Sequence, residues 1–186
     1  PMIHAVIGGI AEGKSPGAIA RELRGLNDDL PLWKANNLLR TLQLTSYRDA
    51  MSLTYTANAD ILETQIRIGT LDGRICLCCL ALHGTELAIG ERVDDHHQGR
   101  CTSIAVLKGR PWNVQSGQAY WDSLDEAAQR ELAGHANFEA IKAGAATLQD
   151  FVQKYTDPVF GDMVREASLK GILGARAKDF YKYSRN

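Results

Sequence analysis

A chain of 186 residues can bury one core with a small satellite, and it is short for two independent domains. Its 45% hydrophobic and 23% charged residues, with 17 glycines and only 5 prolines, exclude a disordered or linker-like chain. A balance of 21 Lys and Arg against 22 Asp and Glu leaves a net charge of -1, which offers no electrostatic footprint for indiscriminate binding to a phosphate backbone.

Met2 to Ile10 is apolar but too short to span a bilayer, and no run approaches the roughly 20 apolar residues that a membrane helix needs. No basic residues precede it, so no export signal is expected, and a start at Pro1 suggests a fragment or a processed product. Ser15-Pro16, followed by Ile19, Ala20 and Leu23 and then Gly25, predicts a capped helix with proline in its first turn and a glycine stop. From Leu32 to about Ala57, Trp33, Leu38, Leu39, Leu42, Tyr47 and Met51 recur at helical spacings with no Pro or Gly, which predicts one long helix. Ile61 to Ile68 reads as a strand through the alternation of Ile66 and Ile68 around Arg67, with helical continuation as the alternative. Thr102 to Leu107, β-branched and closed by Gly109 and Pro111, reads as a second strand.

The last third is expected to be helical. Ser123 and Glu126 form a capping box ahead of Leu124–Leu132, with Gly134 as the stop. Short helices follow over Phe138–Lys142 and from a Thr147 cap through Leu148, Phe151 and Val152 to an end before Pro158, and two more over Glu166–Leu173 and Ala175–Tyr183. The expected fold class is α+β, predominantly helical, with a small β element around a Cys/His knuckle. The expected organisation is a domain over 1–110 that holds the knuckle and a helical extension over 111–186 packed on it.

All four cysteines and three of the five histidines fall between Asp72 and Cys101. Cys76 and Cys79 make a Cys-x-x-Cys turn that aims two thiolates at one point, and His96 and Cys101 supply a second pair across a loop. Two close pairs separated by a loop are how a chain encloses a tetrahedral ion, so Cys76, Cys79, His96 and Cys101 are the predicted ligands of a structural zinc. Such a filled shell has no open position for activating water. His97 competes with His96 at similar spacing to Cys101, and Cys78 competes with Cys79. A metal-free cluster of buried thiols and a redox dithiol are the other readings of the same residues. Without an export signal, the thiols point to a metal in an intracellular setting more than to disulfides.

Outside this stretch the signals are weaker. Asp72 and Arg74 read as a surface ion pair, and His4, His83 and His135 as isolated surface or core residues. No serine has the elbow or base partner of a nucleophile. Gly8 to Ser15 matches the G-x-x-x-x-G-K-S phosphate loop letter for letter. It has hardly any chain before it for the buried strand such a loop follows, and Pro16 makes Ser15 look like a helix cap.

In its ordered series of motifs the chain resembles the phage Mu F-like head morphogenesis family, the minor head proteins of tailed phages and prophages. The series begins with the helix near Gly13-Lys14-Ser15 and continues with Leu38-Leu39-Arg40-Thr41, similar to the family's Arg-Thr-Glu signature with Leu42 in place of the glutamate. Asp72-Gly73-Arg74-Ile75-Cys76 through Cys79 to Gly84 is similar to the family's Asp-x-Arg-Thr-Cys-x-x-Cys run, with Ile75 for threonine. His96 through Arg100-Cys101 is similar to its His-x-x-Cys-Arg-Cys close, with Gly99 for the first of those cysteines. Segments around Tyr120-Trp121, Leu148 to Val152 and Glu166 to Gly174 extend the likeness over nearly the whole chain.

The resemblance favours Cys76, Cys79, His96 and Cys101 as the zinc ligands. It implies a non-enzymatic structural protein of the virion, made in the bacterial host cytoplasm and associated with the portal, capsid or scaffold proteins in head assembly, DNA packaging or ejection. Packaged DNA is a further contact on this reading, and neither a membrane nor a small-molecule substrate is expected. The rival classes are a nucleotide-hydrolysing or toxin-like enzyme and a nucleic-acid-binding zinc module.

Overall fold

Three helices fill the early part of the chain in the structure, a computed structural model that describes residues 2–27 and 29–182. They are α1 (Met2–Ala11), α2 (Pro16–Leu26) and α3 (Leu32–Ala57). Ser15 caps α2 as its sequence predicts, its hydroxyl accepting from Ala18 N at 3.3 Å. The helix runs past Gly25, and Leu26 is its last residue. α3 has the predicted limits. α1 has no counterpart among the predicted elements, because Gly8-Gly9 argues against a helix interior. Gly9 is what lets α1 pack: a Cβ there would lie 2.6 Å from Ile19 Cγ1.

The chain forms two compact units, one comprising the chain up to Ala50 with His97–Gly99, the other Met51–His96 with Arg100 onward. In the first, Ile19, Ala20 and Leu23 of α2 pack with Ala35 and Leu39 of α3, flanked by Ala5 and Val6. Within the same unit, Arg48 Nη2 donates to the Gly99 carbonyl at 2.5 Å, and Thr41 Oγ1 accepts from Gln98 N at 3.0 Å.

The second unit is built on a three-stranded antiparallel sheet with β1 (Leu62–Ile68) between β2 (Glu86–Leu87) and β3 (Thr102–Leu107). Ile66 stands opposite Glu86 on one side and Ile104 on the other. Both strands predicted from sequence are present, and β2 adds a short edge inside what reads as a connector. Between β1 and β2 lies α4 (Leu77–Ala81), whose Leu77, Cys78, Cys79 and Leu80 are all buried, with Leu77, Cys79 and Leu80 in the main core beside Trp121, Phe138 and Phe151. Then come α5 (Gly117–Ser123), α6 (Glu126–Ala133) and α7 (His135–Lys142). The cap of α6 is Asp125, which accepts from Ala128 N at 2.8 Å; Ser123 instead ends α5 and donates to Tyr120 O.

The expectation of an all-helical 111–186 segment is corrected by a β-hairpin. Thr147 and Asp150 do form a capping box, but it opens only a single 3-10 turn over Leu148–Phe151. The chain then pairs β4 (Val152–Asp157) with β5 (Gly161–Glu166). Asp157 accepts from Val159 N and Phe160 N at 2.8 and 3.0 Å, and Gly161 turns the corner at φ +75°. Asp-Pro followed by Gly between β-branched and aromatic residues is a turn signal, and here it outweighs the helical spacing of Leu148 and Val152. Glu166 therefore ends a strand, and the following helix is α8 (Leu169–Leu173), capped by Ser168. A 3-10 turn over Gly174–Ala177 and α9 (Lys178–Tyr181) follow, while the predicted helix end at Tyr183 lies outside the described residues. The fold is α+β and mainly helical, with small antiparallel sheets next to the Cys/His residues.

Candidate metal centre

Cys76 ends an extended segment and caps α4, its Sγ accepting from Cys79 N at 3.3 Å. A cap bond of this kind folds the Cys-x-x-Cys turn so that both sulfurs face the same side. The segment Arg92–His96 comes back across them, held by β1. Gln65 Nε2 donates to Ala88 O and Glu91 O at 2.6 and 2.7 Å, and Arg67 Nη1 donates to Asp94 O. Gln65 and Arg67 are polar yet fully buried, so one face of β1 serves to hold this loop and not an apolar core.

The result places His96 Nε2 3.5 Å from Cys76 Sγ and 3.3 Å from Cys79 Sγ. Metal–sulfur bonds of about 2.3 Å and metal–nitrogen bonds of about 2.0 Å meeting at tetrahedral angles put sulfur and nitrogen about 3.5 Å apart, so this spacing fits a zinc-sized ion. Donor atoms of Cys76, Cys79 and His96 all lie within 4.8 Å of one another, and so do those of Cys79, Asp95 and Cys101. Cys79 belongs to both groups. Of the four predicted ligands, three share one group and Cys101 joins through the Cys79 sulfur. Cys78 and His97 stand in neither group.

The charge distribution agrees with the geometry. Hydrogen bonding from Cys79, aided by His96, brings the Cys76 thiol down to about 4 against the opposing effect of burial. The Cys101 thiol is lowered through its own hydrogen bond with Cys79. Cys79, lying between Cys101 and Cys76, is raised by its hydrogen bonds to both and by burial. A divalent cation displaces thiol protons and satisfies several close sulfurs at once. Cys78 behaves differently: burial pushes its thiol up to about 12, as for a core residue.

Three residues of the site have no signature in the sequence reading. Asp95 is fully buried; its Oδ1 accepts from His96 N at 2.9 Å and its Oδ2 from Cys101 N at 3.0 Å, so one carboxylate fixes both ends of the closing segment. Cys79 Sγ lies 3.5 Å from the same Oδ1. Glu166, at the end of β5, accepts from Leu77 N at 2.7 Å and so ties the hairpin to the start of α4. Arg67 lies beneath Asp95, with Nη2 3.8 Å from Oδ1. Burial works against its charge, but the electrostatic pull of Cys101, Asp95 and Cys79 outweighs that effect. An acidic residue directly before a candidate ligand histidine was the one cue available, and it reads equally well as a solvated turn.

The flanking residues close the stretch. Asp72 makes a bidentate pair with Arg100 at 2.7 and 2.8 Å and also accepts from Arg74 N at 3.0 Å. The predicted partner, Arg74, is the weaker one, at 3.5 Å and largely exposed. His83 is a core residue whose Nδ1 accepts from Gly69 N at 3.0 Å. Gly8 to Ser15 is not a phosphate cradle. Gly8 to Ala11 belong to α1, Glu12 N and Lys14 N bond back to Gly8 O and Gly9 O, and the Lys14 ammonium pairs with Glu12 and Glu22.

Comparison with protein-family models, curated proteins and solved structures gave no match. Among the described residues no helix is long and apolar enough to cross a membrane.

Proposed function

We propose that this chain is a minor head protein of a tailed phage or prophage, and that it carries one structural zinc held by Cys76, Cys79, His96 and Cys101. The observation that carries the reading is the convergence of the two halves of the motif series. Asp72-Gly-Arg-Ile-Cys76-x-x-Cys79 and His96-x-x-Gly-Arg100-Cys101 are linked by the Asp72–Arg100 pair and by the sulfur–imidazole contacts of 3.3 and 3.5 Å. A motif whose parts meet with sulfur–nitrogen spacings of this size supports a metal-binding role for its residues. The resemblance supplies the biological setting, in which the protein works in a few copies beside the portal or inside the capsid.

On this reading the metal acts on folding and assembly. On it Cys76, Cys79 and His96 supply three ligands and Cys101, next to Cys79 in the adjoining group, supplies the fourth, so the ion holds the α4 turn to the segment before β3. The chain then contributes binding faces and no reaction. The test is sedimentation of heads from a producing bacterial lysate followed by mass spectrometry, together with co-purification against the portal protein. The protein is expected in the head fraction and on the portal; its confinement to the soluble fraction, free of portal, contradicts the proposal.

A further inference from the structure

Arg67 has an unusual environment for a charged side chain. Only 4% of its side chain is exposed, and its Nε and Nη2 meet no hydrogen-bond partner among the described residues. The backbone leaves it no alternative direction: Arg67 N donates to Thr85 O and Arg67 O accepts from Gly84 N, each at 2.9 Å, while β3 pairs with its other side through Ser103. Nη1 is fixed on the Asp94 carbonyl, which leaves the rest of the guanidinium facing the buried Cys79, Asp95 and Cys101 group. A buried cation with two unused donors is costly unless a concentration of negative charge surrounds it.

Three thiolates and the Asp95 carboxylate around one divalent ion leave two negative charges in excess, and three of these four groups, Cys79, Asp95 and Cys101, are buried. We propose that Arg67 is the fixed countercharge of the metal centre, halving that excess, and that it occupies the space where a second cation would otherwise be needed beside Cys79, Asp95 and Cys101. The centre therefore takes one divalent ion and not two, and its affinity depends on a residue that does not touch the ion. Arg67 is a positioning residue, and the inference rests on the zinc reading above.

The test uses the full chain, with zinc as the probe. Zinc affinity and stoichiometry are measured by chelator competition for wild type, Arg67→Met and Arg67→Lys, and cobalt(II) spectra report the ligand set. Wild type is expected to bind one zinc. Arg67→Met is expected to bind it roughly 10- to 100-fold more weakly, the range for residues that support metal ligands, with the cobalt–thiolate absorption retained. Arg67→Lys, which keeps the charge and loses the fork, is expected to recover most of that loss. If Arg67→Met does not fold, Arg67→Gln is read against Arg67→Lys in the same way. Equal zinc affinity in wild type and the uncharged variant overturns the inference, as does a lysine variant as weak as the uncharged one. Two zinc ions per wild-type chain also overturn it. A wild-type chain that takes up no zinc is a different outcome, which removes the zinc reading itself.

Discussion

Replacing Gly117 by alanine tests whether the turn that carries Cys76 and Cys79 is locked against the helical half of its unit. Gly117 opens α5, and its N–H donates to His83 O at 2.9 Å. An added Cβ would stand 1.7 Å from Leu80 O and 2.7 Å from Leu80 C, both backbone atoms of α4. Backbone cannot turn aside as a side chain can, so α4 and α5 must part by roughly 1.5–2 Å to reach ordinary contact distance. Overpacking of this kind costs about 1–3 kcal/mol, and losing the Gly117–His83 bond adds about 1 kcal/mol. The helical preference of alanine over glycine returns at most about 1 kcal/mol. The net loss of about 1–3 kcal/mol corresponds to a fall in Tm of roughly 2–12 °C for a chain of this size. Gly25→Ala is the control: it lies in α2 with nothing within 4 Å of the new methyl, and is expected to hold or raise Tm. Thermal melts followed by circular dichroism compare the two. A Gly117→Ala protein that melts with wild type would refute the close approach of α4 and α5.

Other substitutions separate the roles of neighbouring groups. Cys79→Ala is expected to abolish zinc uptake, whereas Cys78→Ala keeps it and loses only packing; zinc content of the two purified variants decides. Burial lowers the pKa of His83, whose neutral ring accepts from Gly69 N, so its contribution to stability is complete above its ordinary value of about 6.5 and is lost as pH falls below it. Tm should drop between pH 7 and pH 5, and the drop should be shallower in His83→Asn, which keeps an acceptor that does not titrate. Burial raises the pKa of Glu166, so the fold pays for its ionisation as pH climbs above the ordinary value near 4.5. Glu166→Gln, keeping an oxygen for Leu77 N, is expected to melt at or above wild type at pH 7, with the difference closing below about pH 4.5. Glu166→Ala strands that N–H and should cost about 1–3 kcal/mol at every pH, measured by urea unfolding.

Elements whose own residues carry a period were legible in the sequence. α3 and β3 have the predicted limits because an unbroken helical spacing and a β-branched run need no distant partner to define them. The close approach of the cysteines and histidine of the candidate centre was legible for a related reason, since Cys76-x-x-Cys79 and His96 are local spacings that only had to meet. What supports them was hidden. Arg67 and Gln65 lie on a strand where alternation marks Ile66 as the inward residue, yet the polar face is buried too, because it holds a loop by its carbonyls. Glu166 acts on Leu77 across a fold connection that no window of sequence contains. The β4–β5 hairpin was obscured by apolar residues at helical spacing, although Asp157-Pro158 and Gly161 carried the turn chemistry.

Metal content of the purified chain, determined by elemental analysis after expression in zinc-replete medium without a metal-affinity tag, bears most directly on the sulfur and imidazole cluster. One equivalent of zinc per chain, removed by Cys79→Ala and kept by Cys78→Ala, is the predicted result. A folded wild-type chain with no bound transition metal would contradict the account.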